Sequence, residues 1–296
     1  MDRKTSPNPE VLCFGEALWD CLPHGLFCGG SPLNAAVHLH RLGSRALLVS
    51  AVGGDFLGEE LLLRLREAGM DVSQVRRHSR LPTGTARLRL DRKGEADFTI
   101  AEPAAWDRLT IAEPLIRRAS GGACLLHGSL ALRGQTNRRA LAKLAGLPGI
   151  KRIFDVNLRA PHDNPILVAQ WARGVDLIKV NREELQRLAP AASRGHTLEQ
   201  TARALAAEWQ TPRLCVTLDA DGAALLDGDR WHREPGRKVR VKDTVGAGDA
   251  FLAALIHHWM LGGADPADAL AIACRLGEYV ATRDGATPGF DPKRFS

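Results

Sequence analysis

Aromatic side chains are scarce in this sequence, at 5% of 296 residues, too few for a surface that stacks nucleobases. Long hydrophobic runs are absent as well. No window approaches the roughly 18 consecutive apolar residues of a membrane span, so no membrane partner is expected. Residues 1–10 are polar and carry prolines without an apolar signal core, which reads as a flexible leader. The six cysteines (13, 21, 28, 124, 215 and 274) include no Cys-x-x-Cys pair and are scattered among apolar stretches. Reduced, mostly buried thiols in a cytoplasmic protein fit that pattern. Several chemistry-bearing motifs are also missing: there is no GxxxxGK(S/T) phosphate loop, no GxGxxG and no HExxH,. His38 and His40, like His257 and His258, lie on helical stretches without a third ligand nearby, so neither pair makes a metal site on this reading.

What is present is ordinary for a globular chain, with 45% hydrophobic and 25% charged residues,. The length suffices for one large α/β domain or two smaller ones. A net charge of +6 suits either nucleic acid or phosphorylated anions as ligands. The basic residues are dispersed, as in Arg64-Leu65-Arg66, which favours solvated helix faces and argues against a nucleic-acid partner.

Taken in order, Val11 to Trp19 predicts a first strand, Pro32 to Leu42 a helix, Ala46 to Val52 a second strand, and Leu61 to Ala68 another helix. Arg87-Leu88-Arg89-Leu90 and Ala96-Asp97-Phe98-Thr99-Ile100 alternate polar with apolar around a Gly-containing turn, which predicts a β-hairpin with one wet face. Short apolar runs follow at Ala123 to His127, Arg152 to Val156, Val175 to Val180 and Leu214 to Leu218, separated by helical segments. They predict buried parallel strands with crossover helices. Gly222 to Leu226 and Arg230 to His232 predict an antiparallel pair. The fold class is therefore α/β: a doubly wound, mostly parallel central sheet flanked by helices, with a small β excursion near the N-terminus. Ligands of such folds bind at the carboxyl ends of the strands. Polar groups gather at those ends, in Asp155-Val156-Asn157-Leu158-Arg159, Asn181-Arg182-Glu183-Glu184 and Thr217-Leu218-Asp219.

The chain is organised around Lys242 to Leu261, where Asp243-Thr244-Val245-Gly246-Ala247-Gly248-Asp249 leads into an apolar helix. Gly246 and Gly248 let the backbone turn tightly and a bulky group approach its N–H groups. At a helix N-terminus those N–H groups favour an anion. Asp249 beside them suggests phosphoryl transfer, with the carboxylate as base and the amides of Gly246, Ala247 and Gly248 holding negative charge. The structural alternative is an acidic residue that merely favours the helix start.

Two blocks carry a family resemblance. Gly29-Gly30-Ser31-Pro32-Leu33-Asn34-Ala35-Ala36-Val37 through Gly43 resembles the first signature of the ribokinase-like carbohydrate kinases, and Asp243 to Phe251 resembles the second. Gly15 to Asp20, Val52 to Gly58, Asn181 to Glu184 and Val216-Thr217 fall in family order between them, so the likeness spans about 11–288. It implies one ribokinase-like domain over 11–296, with a small β-sheet lid formed by parts of 12–30 and 82–103. By that resemblance Asp249 is the general base, and Asp20, Gly30 and Asn34 hold sugar hydroxyls. Asn181, Thr217 and Gly222 face the nucleotide, and Glu184 organises Mg²⁺ through water. Asp243 and Val245, with the Arg283-Asp284-Gly285 turn, are candidates for a monovalent cation such as K⁺. The implied cofactors are ATP and Mg²⁺, and a homodimer through the lid is the implied assembly. Two departures stand out: Asp219 occupies a position where relatives usually have Gly, and the link from Asp20 to Gly29 is short.

Gly-Glu-Ala-Leu-x-Asp at 15–20 and Asp-x-Asn-x-Arg at 155–159 are most similar to the fructokinase branch, which makes fructose the leading acceptor, with Phe98 and Arg159 as further sugar contacts. A sugar-acid kinase of the 2-keto-3-deoxygluconate type shares much of this, and Arg159 would then meet the carboxylate. A ribose or nucleoside kinase and a non-catalytic sugar or nucleotide sensor on the same fold stay open as alternatives.

Overall fold

A computed structural model describes residues 9–22, 25–90 and 96–296, without the side chains of 88–90 and 96–98. The first third of the chain runs β1 (Val11–Phe14), β2 (Leu18–Leu22), β3 (Gly25–Gly29), α1 (Ser31–Arg41), β4 (Ala46–Gly53), α2 (Phe56–Glu67), β5 (Val75–His78), β6 (Gly84–Leu90) and β7 (Ala96–Ile100). The middle holds α3 (Glu113–Ala119), β8 (Cys124–Gly128), α4 (Gln135–Ala145), β9 (Lys151–Asp155), α5 (Pro165–Ala172), β10 (Leu177–Asn181), α6 (Arg182–Leu188) and α7 (Leu198–Glu208). β11 (Arg213–Thr217), β12 (Ala223–Asp227), β13 (Arg230–Glu234), α8 (Ala247–Leu255) and α9 (Pro266–Ala281) complete it.

Among the described residues the large sheet has the order β13-β12-β11-β10-β9-β8-β1-β4-β5, and β3-β2-β6-β7 form a separate small sheet. The large sheet is parallel from β5 to β11 and turns antiparallel at β12 and β13. Side chains alternate across each strand, so Val11 and Cys13 enter one buried cluster with α1, α2, α8 and α9, whereas Leu12 and Phe14 enter another with α3 to α7,. Strands apolar on both faces are what this helix–sheet–helix layering requires. The fold is the mostly parallel α/β architecture with a second small sheet that the sequence predicts, and the hairpin β6–β7 pairs antiparallel as expected.

One prediction is corrected here. Val11 to Trp19 is not a single strand. The chain leaves the large sheet at Gly15, where Ser50 Oγ donates to the Gly15 carbonyl at 2.6 Å, and resumes as β2 in the small sheet. Leu18 and Trp19 are buried there too, so an uninterrupted apolar run concealed a change of sheet. α2 begins at Phe56, ahead of Leu61, because the Asp55 side chain caps it by accepting from Gly58 N at 2.8 Å,. No helix of the described residues is long and apolar enough to cross a membrane.

Candidate active site

The first turn of α8 builds the site. Gly246 is its N-cap at φ 79°, and a β-carbon placed there would lie 2.5 Å from Ala286 Cα. Only glycine fits both the left-handed backbone and that contact. His38, buried in α1, holds the neighbouring turn: its Nε2 lies 2.9 Å from the Ala286 carbonyl. Burial pulls the pKa of this imidazole down to about 4, so the neutral ring donates from Nε2 at neutral pH. His38 therefore braces the loop, and no cluster of three or more His, Cys, Asp or Glu able to hold a metal is found among the described residues. The turn also changes one expectation. The Ala247 amide donates to the Thr244 carbonyl at 3.2 Å, which draws it into the turn.

Asp249 is buried on the same turn and is gripped from α1. Ser31 Oγ donates to its Oδ1 at 2.6 Å and Asn34 Nδ2 donates to its Oδ2 at 2.8 Å. Two charge-assisted hydrogen bonds fix the carboxylate plane while leaving lone pairs for a substrate proton. The hold depends on α1 starting where it does. Gly30, its N-cap at φ 106°, passes so close to Glu16 that a β-carbon would lie 2.5 Å from the Glu16 carbonyl oxygen.

A cavity of ≈ 500 Å³ opens beside Asp249, lined in part by Glu16, Asp20, Gly30, Ser31, Asn34, Asn157, Arg159, Lys179, Val245, Gly246 and Gly248. Asp20, Gly30, Asn34 and Arg159 are thus brought together as the sequence predicts. Leu18, Ala86 and Ile100 of the small sheet form another part of its wall. Burial first, and the Asp249 charge second, raise the Glu16 carboxyl to about 7; burial, then Asp249 and Asp243, raise Asp20 to about 7. A second cavity of ≈ 690 Å³ lies on the other side of the turn, lined by Thr217, Asp219, Gly222, Val239, Ala247, Phe251 and Gly277 among others. Thr244 and Gly248 line both cavities. Asp219 adopts φ 52°, so the backbone shape usually given to glycine persists here with a carboxylate on it.

Other predicted residues sit further back. Asn181 caps α6, accepting from Glu184 N at 2.8 Å while Glu184 Oε2 accepts from Asn181 N at 2.8 Å. Glu184 Oε1 accepts from Leu158 N at 2.7 Å, so this carboxylate ties the Asn157–Arg159 loop to α6. Neither residue lines either cavity. The Asp243 carboxylate accepts from Val245 N at 2.9 Å and from Gly285 N at 3.3 Å, joining the expected cation loop to the 283–285 turn. The Phe98 side chain lies outside the described residues.

The sequence reading passed over Ser31, Glu16 and Lys179. Lys179 interrupts the apolar strand β10, and its Nζ donates to both carboxylate oxygens of Asp155, at 3.0 and 3.2 Å, on the adjacent β9. Burial pulls the Lys179 pKa down, but the charges of Asp155, Glu184 and Asp249 together outweigh it and the net direction is up. Burial raises Asp155 to about 6 against that partner. A lysine inside an otherwise apolar strand, facing an Asp at the end of the next one, was the available signal.

Comparison with known proteins places this geometry in context. Residues 24–294 match the model of the pfkB family carbohydrate kinases. A fructokinase of Klebsiella pneumoniae is 33% identical, with 94% of this chain and 95% of the relative covered. The crystal structure of a Xylella fastidiosa fructokinase with bound ATP aligns at a TM-score of 0.81 and 25% identity, covering 97% of each chain. A Vibrio cholerae fructokinase, solved with fructose, ADP and calcium bound, aligns at 0.80 and 26% identity, covering 95% of each.

Proposed function

The chain belongs to the pfkB family of carbohydrate kinases, and from that premise we propose that it transfers the γ-phosphoryl group of ATP to a hydroxyl of a small neutral sugar, with fructose as the leading acceptor. One observation carries the reading: two cavities meet at Thr244 and Gly248, and Asp249 faces the one crowded with hydroxyl-binding groups. Asp249 takes the acceptor proton as the sugar oxygen attacks, and the Gly246 and Gly248 amides meet the charge on the transferring group. The Vibrio cholerae fructokinase bound to fructose and ADP supports the choice of acceptor.

Charge supports a neutral sugar over a sugar acid. Asp249, with Glu16 and Asp20 partly ionised at neutral pH, crowds the acceptor cavity with negative charge, and an anionic substrate would meet its repulsion. Lys179 is already paired with Asp155, which leaves Arg159 as the remaining cation of the lining among the described residues. The donor set fits Mg²⁺ carried in on the triphosphate: among the described residues there is no carboxylate cage, and Glu184 retains lone pairs that would reach the ion through water,. When bound, Mg²⁺ would neutralise phosphate charge. Asp243 and Val245, tied to the Gly285 turn, make a site for K⁺ that would stiffen the anion hole; replacing K⁺ by a bulky ammonium ion should then slow turnover. The small sheet serves as a lid on the single domain, and a second copy pairing through it would appear as a dimer in sedimentation. Six unpaired cysteines agree with a cytoplasmic setting.

The test is ATP-dependent phosphorylation across ketohexoses, aldohexoses, pentoses, sugar acids and nucleosides, with wild type and Asp249→Ala. Turnover of fructose that vanishes in Asp249→Ala is expected. Full activity in that variant, or no acceptor at all, overturns the mechanism. Preference for a sugar acid overturns the acceptor alone.

A further inference from the structure

Lys179 is the group whose position the chemistry so far leaves unused. It lies opposite Asp155 in the β9–β10 register, and its side chain is only 8% exposed. Taking two charges out of water is costly, and apolar side chains of similar volume would fill the space without that cost. Stability alone therefore gives no reason for the pair. Its location does. A β-carbon built on Gly248 would lie 3.2 Å from Lys179 Nζ, so the ammonium rests against one of the two residues shared by both cavities. Of its three N–H groups two are taken by Asp155,, and the third has no acceptor among the described residues.

We propose that Lys179 is a catalytic residue of the phosphoryl transfer: held by Asp155, its ammonium contacts the transferring phosphoryl group beside Gly248 and supplies the positive charge there. This rests on the kinase reading above. In the step itself the bond from the acceptor oxygen to phosphorus forms and the bond from phosphorus to the leaving oxygen of ADP breaks. The acceptor proton goes to Asp249, and Lys179 keeps its own. Charge spreads over the equatorial oxygens of the phosphoryl group in that transition state, and a cation aimed at them from a dry wall acts more strongly there than on the ground state. Asp155 is the positioning residue. It turns the ammonium toward Gly248 and keeps it protonated despite burial.

The test compares wild type, Lys179→Met and the doubly neutral Lys179→Met/Asp155→Asn, with fructose and ATP as substrates. Loss of one such donor should lower kcat by about 10²–10³-fold, with KM for fructose and Kd for ADP within about threefold of wild type. A second readout needs no turnover. Binding of ADP, aluminium fluoride and fructose, which together mimic the planar phosphoryl group, should weaken by a factor similar to the loss in kcat. The double variant removes the unpaired buried carboxylate, so it should fold where the single variant does not, and it should stay slow. Wild-type kcat in either variant overturns the proposal. So does a fall in kcat matched by equal losses in fructose and ADP affinity, because that is a structural effect. Wild type that phosphorylates no sugar overturns the kinase reading first, and this inference with it; an active wild type beside an equally active Lys179→Met overturns this inference alone.

Discussion

Replacing Glu16 by Gln should flatten the pH dependence of stability in mildly acidic to neutral solution. Glu16 is 3% exposed, and its Oε2 is buried without a partner among the described residues. Burial, then the neighbouring Asp249 charge, raises its pKa from the ordinary 4.5 to about 7. The sign follows from linkage. A folded state that holds the proton more tightly than the unfolded chain gains stability that is fully present below pH 4.5 and lost as pH rises through about 7,. A shift of that size corresponds to about 3 kcal/mol between the two limits, as an upper figure. Gln is neutral throughout and lacks this slope. Its amide adds a buried donor where Oε2 had no partner, which costs about 1–3 kcal/mol, but that cost is the same at every pH and moves the curve without tilting it. Asp20 and Asp155, also raised by burial to about 7 and about 6, tilt both proteins alike and cancel in the difference. Thermal melts of the ligand-free proteins from about pH 5 to pH 8 should therefore show the Tm gap shifting in favour of the variant by about 5 °C as pH rises. Parallel curves, within about 1 °C, would refute the electrostatics assigned to this cavity.

Three further outcomes are expected. Asp249→Asn should lower kcat by about 10²–10⁴-fold while KM for the sugar changes little; a variant affected mainly in KM would make Asp249 a binding residue instead. Gly246→Ala forces a side chain onto φ 79° and against Ala286, so it should cost about 1–3 kcal/mol of stability and at least tenfold in activity, seen in melts and steady-state rates; an unimpaired Gly246→Ala enzyme refutes the assigned anion hole. Asp219→Gly relieves a left-handed backbone at φ 52° and removes a negative charge from the nucleotide cavity, so KM for ATP should fall about two- to fivefold with stability unchanged or up by about 0.5 kcal/mol. A higher KM for ATP would instead show that the Asp219 carboxylate holds the nucleotide.

Much of the molecule was legible because its causes are local. The turn at Gly246 and Gly248, the start of α8 and the capping box of Asn181 with Glu184 depend on residues a few positions apart. Strand periodicity likewise assigned the parallel core and the β6–β7 hairpin, since alternation records which face is buried. It failed at Gly15, where both sheets bury what they receive and the pattern runs on unbroken. Within the site, Asp249 was legible as an acid at a helix start, and Asp20, Gly30 and Asn34 as a block in family order.

Local sequence alone sets a glycine turn at a helix start with a carboxylate beside it, at 246–249. Backbone conformation and dipole at a helix start follow from adjacent residues. Only the tertiary structure decided what surrounds that carboxylate. Ser31 and Asn34 reach Asp249 across more than two hundred residues because α1 packs on α8. Lys179 meets Asp155 because β10 pairs with β9 in one register. A slip of one residue would send that lysine to the opposite face of the sheet. Strand order and register set the distances between charges, and those distances place a helix-start acid beside Ser31 and Asn34, with a buried ammonium set against Gly248.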